Sequence, residues 1–238
     1  MKDVLQIVWG EAKAAEHSCG TPGWKRCLDI ACIALALPAL APLILIISLW
    51  IRLSSSGPVL FRQERVGYRG RRFTCLKFRS MKVNADNRVH KEYLRGLINS
   101  DVPMTKMDAR GDSRLISMGA FLRSTGLDEL PQLINILRGE MSIVGPRPCI
   151  PYESDNYLPW QKERFETLPG LTGLWQVSGK NKTTFNEMVN LDIAYVRNKS
   201  LWLDIQIILK TVPALISQVR ETQASRRTQS ADKVVLSA

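Results

Sequence analysis

Apolar positions are distributed very unevenly along this chain. From Ile30 to Ile51 no residue is charged, and at about 1.5 Å per residue a helix over that run would just span the ~30 Å hydrocarbon core of a bilayer. Two features oppose a straight pass. Pro38 and Pro42 sit in the middle of the run, each removing a backbone donor and clashing with the preceding turn. Basic residues flank both ends, Lys25 and Arg26 before it and Arg52, Arg62 and Arg65 after it, and the positive-inside tendency wants both flanks on the cytoplasmic side. A helix-break-helix over residues 24–53 that enters and leaves the same leaflet satisfies both features and is preferred to a Pro-kinked single pass. A secretory signal is excluded, because its apolar region is shorter and Ala39-Leu40-Ala41 runs on into Pro42 and more hydrocarbon.

The rest of the chain alternates short strand-like and helix-like patterns. Residues 1–21 carry a weakly amphipathic helical pattern that ends at Thr21-Pro22-Gly23, so 1–23 reads as an N-terminal arm. The runs Val59–Phe61 and Phe73–Phe78, joined through Gly67-Tyr68-Arg69-Gly70, predict a small β-hairpin. Helical spacing follows near 84–98, 114–124, 129–138 and 184–197, with Pro/Gly-rich connectors at Gly145–Pro151 and Pro169–Gly173. Leu201–Val219 is apolar but contains Asp204, Lys210 and Pro213, which suits an interfacial or core helix better than a second span. The expected architecture is therefore α+β: a re-entrant membrane helix pair, a small and mainly helical cytoplasmic domain over 54–219 with a short β-hairpin and interfacial amphipathic helices, and a polar, flexible tail over 220–238.

Composition narrows the classes of function. With 45% hydrophobic and 23% charged residues among 238, the chain is neither a disordered tail nor a fibre. One apolar run excludes a bulk transporter. The five cysteines, Cys19, Cys27, Cys32, Cys75 and Cys149, are odd in number and without a C-x-x-C spacing, which argues for a reducing compartment over a disulfide framework. His17 and His90 are the only histidines, so H-E-x-x-H zinc sites are absent and a Ser-His-Asp triad has little support. Gly173 to Gly179-Lys180-Asn181 has the wrong spacing and the wrong last residue for a P-loop.

The net charge of +11 concentrates between Arg62 and Lys82, which hold eight Lys/Arg (62, 65, 69, 71, 72, 77, 79 and 82) against Glu64. Lying just after the membrane segment, most of these arginines suit anionic headgroups, and with no recognition module in view nucleic acid is not an expected partner. Lys77 and Arg79 differ: in a strand they share a face at the end of an apolar run, where two cations can hold a diphosphate. Pro131 inside a helical pattern is tolerated only in the first turn, so that helix begins close to Asp128. Asp128 and Glu129 are then two carboxylates at the positive end of a helix, pointing about 100° apart, which lets one hold a metal while the other approaches a substrate. An isolated pair of this kind is ordinarily a cap and a first-turn acid. Here a membrane dip, a basic strand, Arg123 one turn upstream and the rigid loop Gly145-Pro146-Arg147-Pro148 accompany it, which suits a phosphate donor and a lipid acceptor.

Taken together, Val59–Gly67, Lys77-Phe78-Arg79-Ser80-Met81, Leu127–Leu133, Arg138–Pro148 and Pro169–Gly179 resemble, in order, the motifs of the bacterial sugar transferases, the monotopic phosphoglycosyl transferases. The resemblance covers roughly Trp24–Val219. It implies transfer of a hexose 1-phosphate from a UDP-sugar donor to undecaprenyl phosphate with release of UMP, at the bacterial inner membrane with the catalytic domain facing the cytoplasm and lipid as a further partner. The alternative is an inactive, membrane-anchored basic scaffold of a polysaccharide assembly system. The resemblance further implies Asp128 as nucleophile, Glu129 as a helper in Mg²⁺ binding, with both as metal ligands, and phosphate or donor contacts from Lys77, Arg79, Arg123 and Arg147 within Pro146–Pro148. Gln176 and Asp192 match motif positions without an evident role, and the oligomeric state, a homo-oligomer included, is left open. Three positions depart from the family pattern: Ala41 precedes Pro42 where Ser is frequent, Gly126 stands in place of Ser, and Lys180 in place of Arg. A lysine cannot reproduce an arginine's bidentate fork.

Overall fold

The computed structural model describes residues 21–82, 96–97, 102–104 and 114–236. The arm over 1–20 and most of the expected helix over 84–98 lie outside these residues. The apolar run forms helix α1 (Gly23–Ser54), entered from Pro22 and long and apolar enough to cross a membrane. It is one helical element through Pro38 and Pro42, where the sequence predicts two helices and a break. The prolines deprive the carbonyls of Ala34 and Pro38 of their helical donors, so any bending concentrates there. Buried residues of α1 fall at its two ends, Lys25, Asp29 and Ile33 at one and Ile47 and Ile51 at the other, while 34–42 is exposed or half-exposed.

Strands β1 (Leu60–Val66) and β2 (Arg72–Phe78) pair antiparallel with Leu60 opposite Phe78 and Val66 opposite Arg72. β1 runs farther than its apolar start at Val59–Phe61 predicts, because a two-stranded ribbon keeps one face in solvent and accommodates Arg62 and Glu64 there. Next come α2 (Gly119–Thr125), a 3₁₀ turn over Leu127–Glu129, and α3 (Gln132–Leu137). α2 starts later than the predicted residue 114 because Met81 bridges to Leu115 and Met118 takes a left-handed conformation just before the helix.

Of the two connectors read from the sequence, the second contains a strand and the first directly follows one that the sequence assigns to no element. β3 (Ser142–Val144) and β4 (Gly170–Thr172) pair in parallel, giving a second small sheet beyond the predicted hairpin. Their contact continues through Gly145, whose N–H reaches the Thr172 carbonyl at 2.9 Å. A Cβ on Gly170 would stand 2.1 Å from the Gly145 nitrogen, so only glycine permits this approach.

Around this sheet lie α4 (Pro151–Asp155), a 3₁₀ segment (Pro159–Phe165), α5 (Leu174–Val177), α6 (Phe185–Asn198) and α7 (Leu201–Leu236). α6 starts at a reciprocal cap: the Thr184 hydroxyl accepts from the Glu187 N–H at 3.2 Å and the Glu187 carboxylate accepts from the Thr184 N–H at 2.8 Å. Its apolar side, Phe185, Met188, Val189 and Ile193, packs with Trp175, Tyr157, Val66 and Cys149. α7 buries Leu203 and Ile207 against Val144, Leu174 and Tyr195, and it continues without interruption past Arg220, where the sequence suggests a tail.

The domain grips α1 at both ends. Near its start, Lys25 donates to Asp204 at 2.6 Å and to the Tyr195 hydroxyl at 2.8 Å, with all three residues buried. Asp29 accepts from the Ser142 hydroxyl at 2.9 Å and from the Ile143 N–H at 2.8 Å, and Arg26 donates to the carbonyls of Ile136 and Leu137 at the end of α3. Near its end, Ile47 and Ile51 pack with Phe78, Ile116 and Leu122. The four described cysteines are free thiols.

Candidate active site

Gly126 ends α2 with φ 75°, a left-handed conformation in which a Cβ is penalised; the departure from Ser at this position has that backbone as its physical counterpart. The chain then enters the 3₁₀ turn, with the Glu129 N–H bonded to the Gly126 carbonyl at 3.0 Å, and continues through Pro131 into α3. The sequence places the helix start at Asp128 with Pro131 in its first turn; in the structure Asp128 and Glu129 occupy the 3₁₀ turn and α3 begins at Gln132 with Pro131 as its N-cap.

Asp128 is buried within the turn, and Glu129 reaches the neighbouring hairpin, where Lys77 Nζ lies 2.7 Å from Glu129 Oε1. Burial pushes the Glu129 carboxyl up, but Lys77, Lys180 and Arg65 more than offset this and bring it down to about 2. Lys180 was no candidate on sequence grounds beyond its departure from Arg. Its charge is felt together with those of Glu129, Lys77, Arg147 and Asp128, and burial is the main cause that lowers its ammonium pKa from the ordinary value. The signal available in the sequence was its place immediately after Gly179, which closes the last motif and has φ 108°.

The loop from Gly145 to Cys149 is fixed carbonyl by carbonyl. Pro146 O accepts from the Gly170 N–H at 2.8 Å, Arg147 O from Arg164 at 2.9 Å, Pro148 O from Arg65 at 3.0 Å and Cys149 O from the Val66 N–H at 2.9 Å. The prolines contribute fixed φ angles and carry no N–H that would need a partner. Arg147 in turn donates to both oxygens of Glu153, at 3.2 and 3.3 Å. The Glu153 side chain is 1% exposed and that of Arg147 is 29% exposed, so the guanidinium is held from behind and open in front.

Other predicted residues are placed differently. Arg79 is buried, and its guanidinium donates to the carbonyls of Ser55 and Ser56 just beyond the end of α1. The expected pairing of Lys77 with Arg79 over one diphosphate is thus divided between the site and the membrane helix. Asp192 lies one layer behind the loop, paired with Arg164, which holds the Arg147 carbonyl. Burial pushes the Asp192 carboxyl up, and Arg164 opposes this. Arg123 is half-buried in the last turn of α2. Gln176 on α5 has its Oε1 buried without a hydrogen-bond partner among the described residues, and so does the Ser178 hydroxyl. Unsatisfied buried polar atoms are uncommon in folded proteins.

Among the described residues no group of three or more His, Cys, Asp or Glu could hold a metal. Mg²⁺, however, is ordinarily held through one or two carboxylates plus substrate phosphates. Asp128 and the ionised Glu129 offer that kind of hard oxygen donor, so the residues fit the ion.

A carboxylate pair set among lysines and an open arginine, on a domain bound to an apolar helix, defines a membrane-associated anion-handling centre. The chain matches the bacterial sugar transferase family over residues 21–218 and belongs to that family. It is 42% identical over 194 residues to the exopolysaccharide production protein ExoY of Rhizobium meliloti, covering 80% of this chain and 84% of that protein. To the UDP-glucose:undecaprenyl-phosphate glucose-1-phosphate transferase of Caulobacter vibrioides it is 40% identical over 201 residues, 81% of this chain and 70% of the relative. To the undecaprenyl-phosphate galactose phosphotransferase of Salmonella typhimurium it is 39% identical over 199 residues, 81% of this chain but 40% of that longer protein.

Proposed function

We propose that this protein transfers a hexose 1-phosphate from a UDP-linked sugar to undecaprenyl phosphate, releasing UMP, as the membrane-committing step in assembly of an exopolysaccharide or related glycan. The observation that carries this reading is the seating of Asp128 and Glu129 among Lys77, Lys180 and Arg147 in a member of the sugar transferase family. A carboxylate oxygen of Asp128 attacks the sugar-bearing phosphorus of the donor. The bond from that phosphorus to the bridging oxygen breaks, and UMP departs with the electron pair. A phosphate oxygen of the acceptor then attacks the same phosphorus, the bond to Asp128 breaks, and the free carboxylate is restored. Neither displacement needs a proton transfer. Lys77 keeps Glu129 ionised, while Lys180 and the open face of Arg147 neutralise and orient the diphosphate. Mg²⁺ held by Asp128 and Glu129 would add charge compensation on the phosphate oxygens.

The domain lies on the cytoplasmic face of the inner membrane, with α1 entering and leaving one leaflet. Support comes from the attachment of both ends of α1 to a single domain. Exposed apolar side chains on neighbouring elements, among them Phe121, Leu137, Trp202, Leu209, Val212 and Ile216, add an interfacial surface.

The decisive experiment measures nucleotide release by the protein in nanodiscs with Mg²⁺, undecaprenyl phosphate and a panel of UDP-sugars, with Asp128→Asn alongside. UMP released with one sugar, and lost in Asp128→Asn, is the expected result. Release of UDP would mean transfer of the sugar alone. No nucleotide with any sugar would overturn the reading in favour of an inactive scaffold.

A further inference from the structure

The last helix reaches into the site. α7 turns one stripe inward, Leu203, Ile207, Thr211 and Gln218, with the Thr211 hydroxyl 2.8 Å from that of Thr172, and turns Leu209, Val212 and Ile216 outward. Gln218 is 7% exposed and its amide is used at both ends. Oε1 accepts from Lys180 Nζ at 3.2 Å, and Nε2 donates to the Ser124 carbonyl at 2.9 Å. Ser124 lies in the last turn of α2, directly ahead of Gly126 and the turn that carries Asp128 and Glu129. One amide therefore joins the lipid-facing helix, the approach to the carboxylate pair and a cation of the site.

The chemistry of this arrangement is specific. A lysine ammonium is a compact charge on a flexible stem, and the charges that act on it are those of Glu129, Lys77, Arg147 and Asp128. Left to itself it would move toward the two carboxylates and cover the nucleophile. A carboxylate in place of Gln218 would hold it but neutralise it. A neutral amide, itself fixed by a backbone carbonyl, holds the ammonium in place without neutralising it. We infer that Gln218 is a positioning residue that holds Lys180 away from Asp128 and open to the donor's phosphates, and that it ties this placement to the seating of α7. The inference rests on the transfer reading above.

Four full-length proteins in nanodiscs test it: wild type, Gln218→Met, Lys180→Met and the double variant. Methionine keeps the unbranched shape and removes both hydrogen bonds. The expected result is a loss of about tenfold in kcat/KM for the donor in Gln218→Met, carried by KM, with KM for undecaprenyl phosphate unchanged. In the Lys180→Met background the same change should cost less than twofold, because a residue that acts through Lys180 has nothing left to position. Unchanged kinetics in Gln218→Met, or losses that add in the double variant, would overturn the role. UDP binding in the presence of Mg²⁺, read by calorimetry on the same proteins, should weaken about tenfold in each single variant and no further in the double. A wild type that binds UDP but releases no UMP would overturn the transfer reading and leave the positioning role decided by these affinities. A wild type that fails to bind UDP would overturn both.

Discussion

At Glu129 two opposed effects meet: burial favours the neutral acid, and the ammonium of Lys77 at 2.7 Å favours the carboxylate. The cations win, and the group stands at about 2 against an ordinary 4.5. Because the folded value is the lower one, this group's contribution to stability is fully present above pH 4.5 and is lost as the pH falls toward 2. In Lys77→Met burial acts with its largest opponent gone, so the Glu129 carboxyl rises. The donor kcat/KM should fall about 10- to 100-fold at neutral pH, the scale of one lost hydrogen bond between charged groups. The acid limb of its pH profile should lie at higher pH than that of the wild type. A variant profile parallel to the wild type would mean that Lys77 does not set this ionisation. Sequence was informative for Asp128, Glu129 and Pro131 because proline's missing N–H fixes a helix start locally. It could not separate Lys77 from Arg79, which share a strand face, since their partners, Glu129 and the end of α1, are set by tertiary packing. Lys180, Arg164 and Glu153 were overlooked for the same reason.

The elements under the site differ in how plainly the chain announces them. The hairpin and α6 carry period-two and period-3.6 patterns with turn and cap residues at their ends, and both form near the predicted places. β3 and β4 are three residues each, too short for any period to emerge, so the sequence reads β4 as part of a connector and gives β3 no element. What identifies them physically is the glycine spacing, since parallel backbones approach here more closely than a Cβ allows. In Gly170→Ala the new methyl would meet the Gly145 nitrogen at 2.1 Å and the Thr172 carbonyl at 2.3 Å, both backbone atoms that cannot rotate away. Overpacking of this kind costs about 3 kcal/mol, which corresponds to a fall of about 6–12 °C in apparent unfolding temperature for a domain of this size. The Pro146 carbonyl would lose the Gly170 donor, and Arg147 would lose its fixed place, so donor KM should rise in the surviving folded fraction. An unchanged melting curve would show that β3 and β4 can separate without cost.

For the whole molecule the question is how one domain can hold both ends of a helix long enough to cross a bilayer. The stretch 34–46 between the anchored residues Ile33 and Ile47 would be about 20 Å long if straight, short of the ~30 Å hydrocarbon core. A single pass would also require the polar contacts of Lys25 and Asp29 and the apolar contacts of Ile47 and Ile51 to lie on opposite faces of the membrane. They belong to the same domain: Asp29 is bonded to Ser142 and Ile143, Lys25 to Asp204, and Ile51 packs with Phe78. Severing the first end has a large cost, since Asp204 would lose its cation and stay a buried charge held, among the described residues, only by the Tyr195 hydroxyl at 2.7 Å, a loss on the order of 3–5 kcal/mol. The two proline-freed carbonyls, Ala34 and Pro38, fall within the exposed middle; in the re-entrant arrangement proposed above, a bend there would put them at the deepest point of a shallow dip, within reach of interfacial water. In a background with the native cysteines replaced, single cysteines placed at Trp24 and at Ser55 should both react with a membrane-impermeant reagent only when the cytoplasmic face is open to it. Labelling of either position from the periplasmic face would require the domain to release one end of α1, and the re-entrant arrangement would then be wrong.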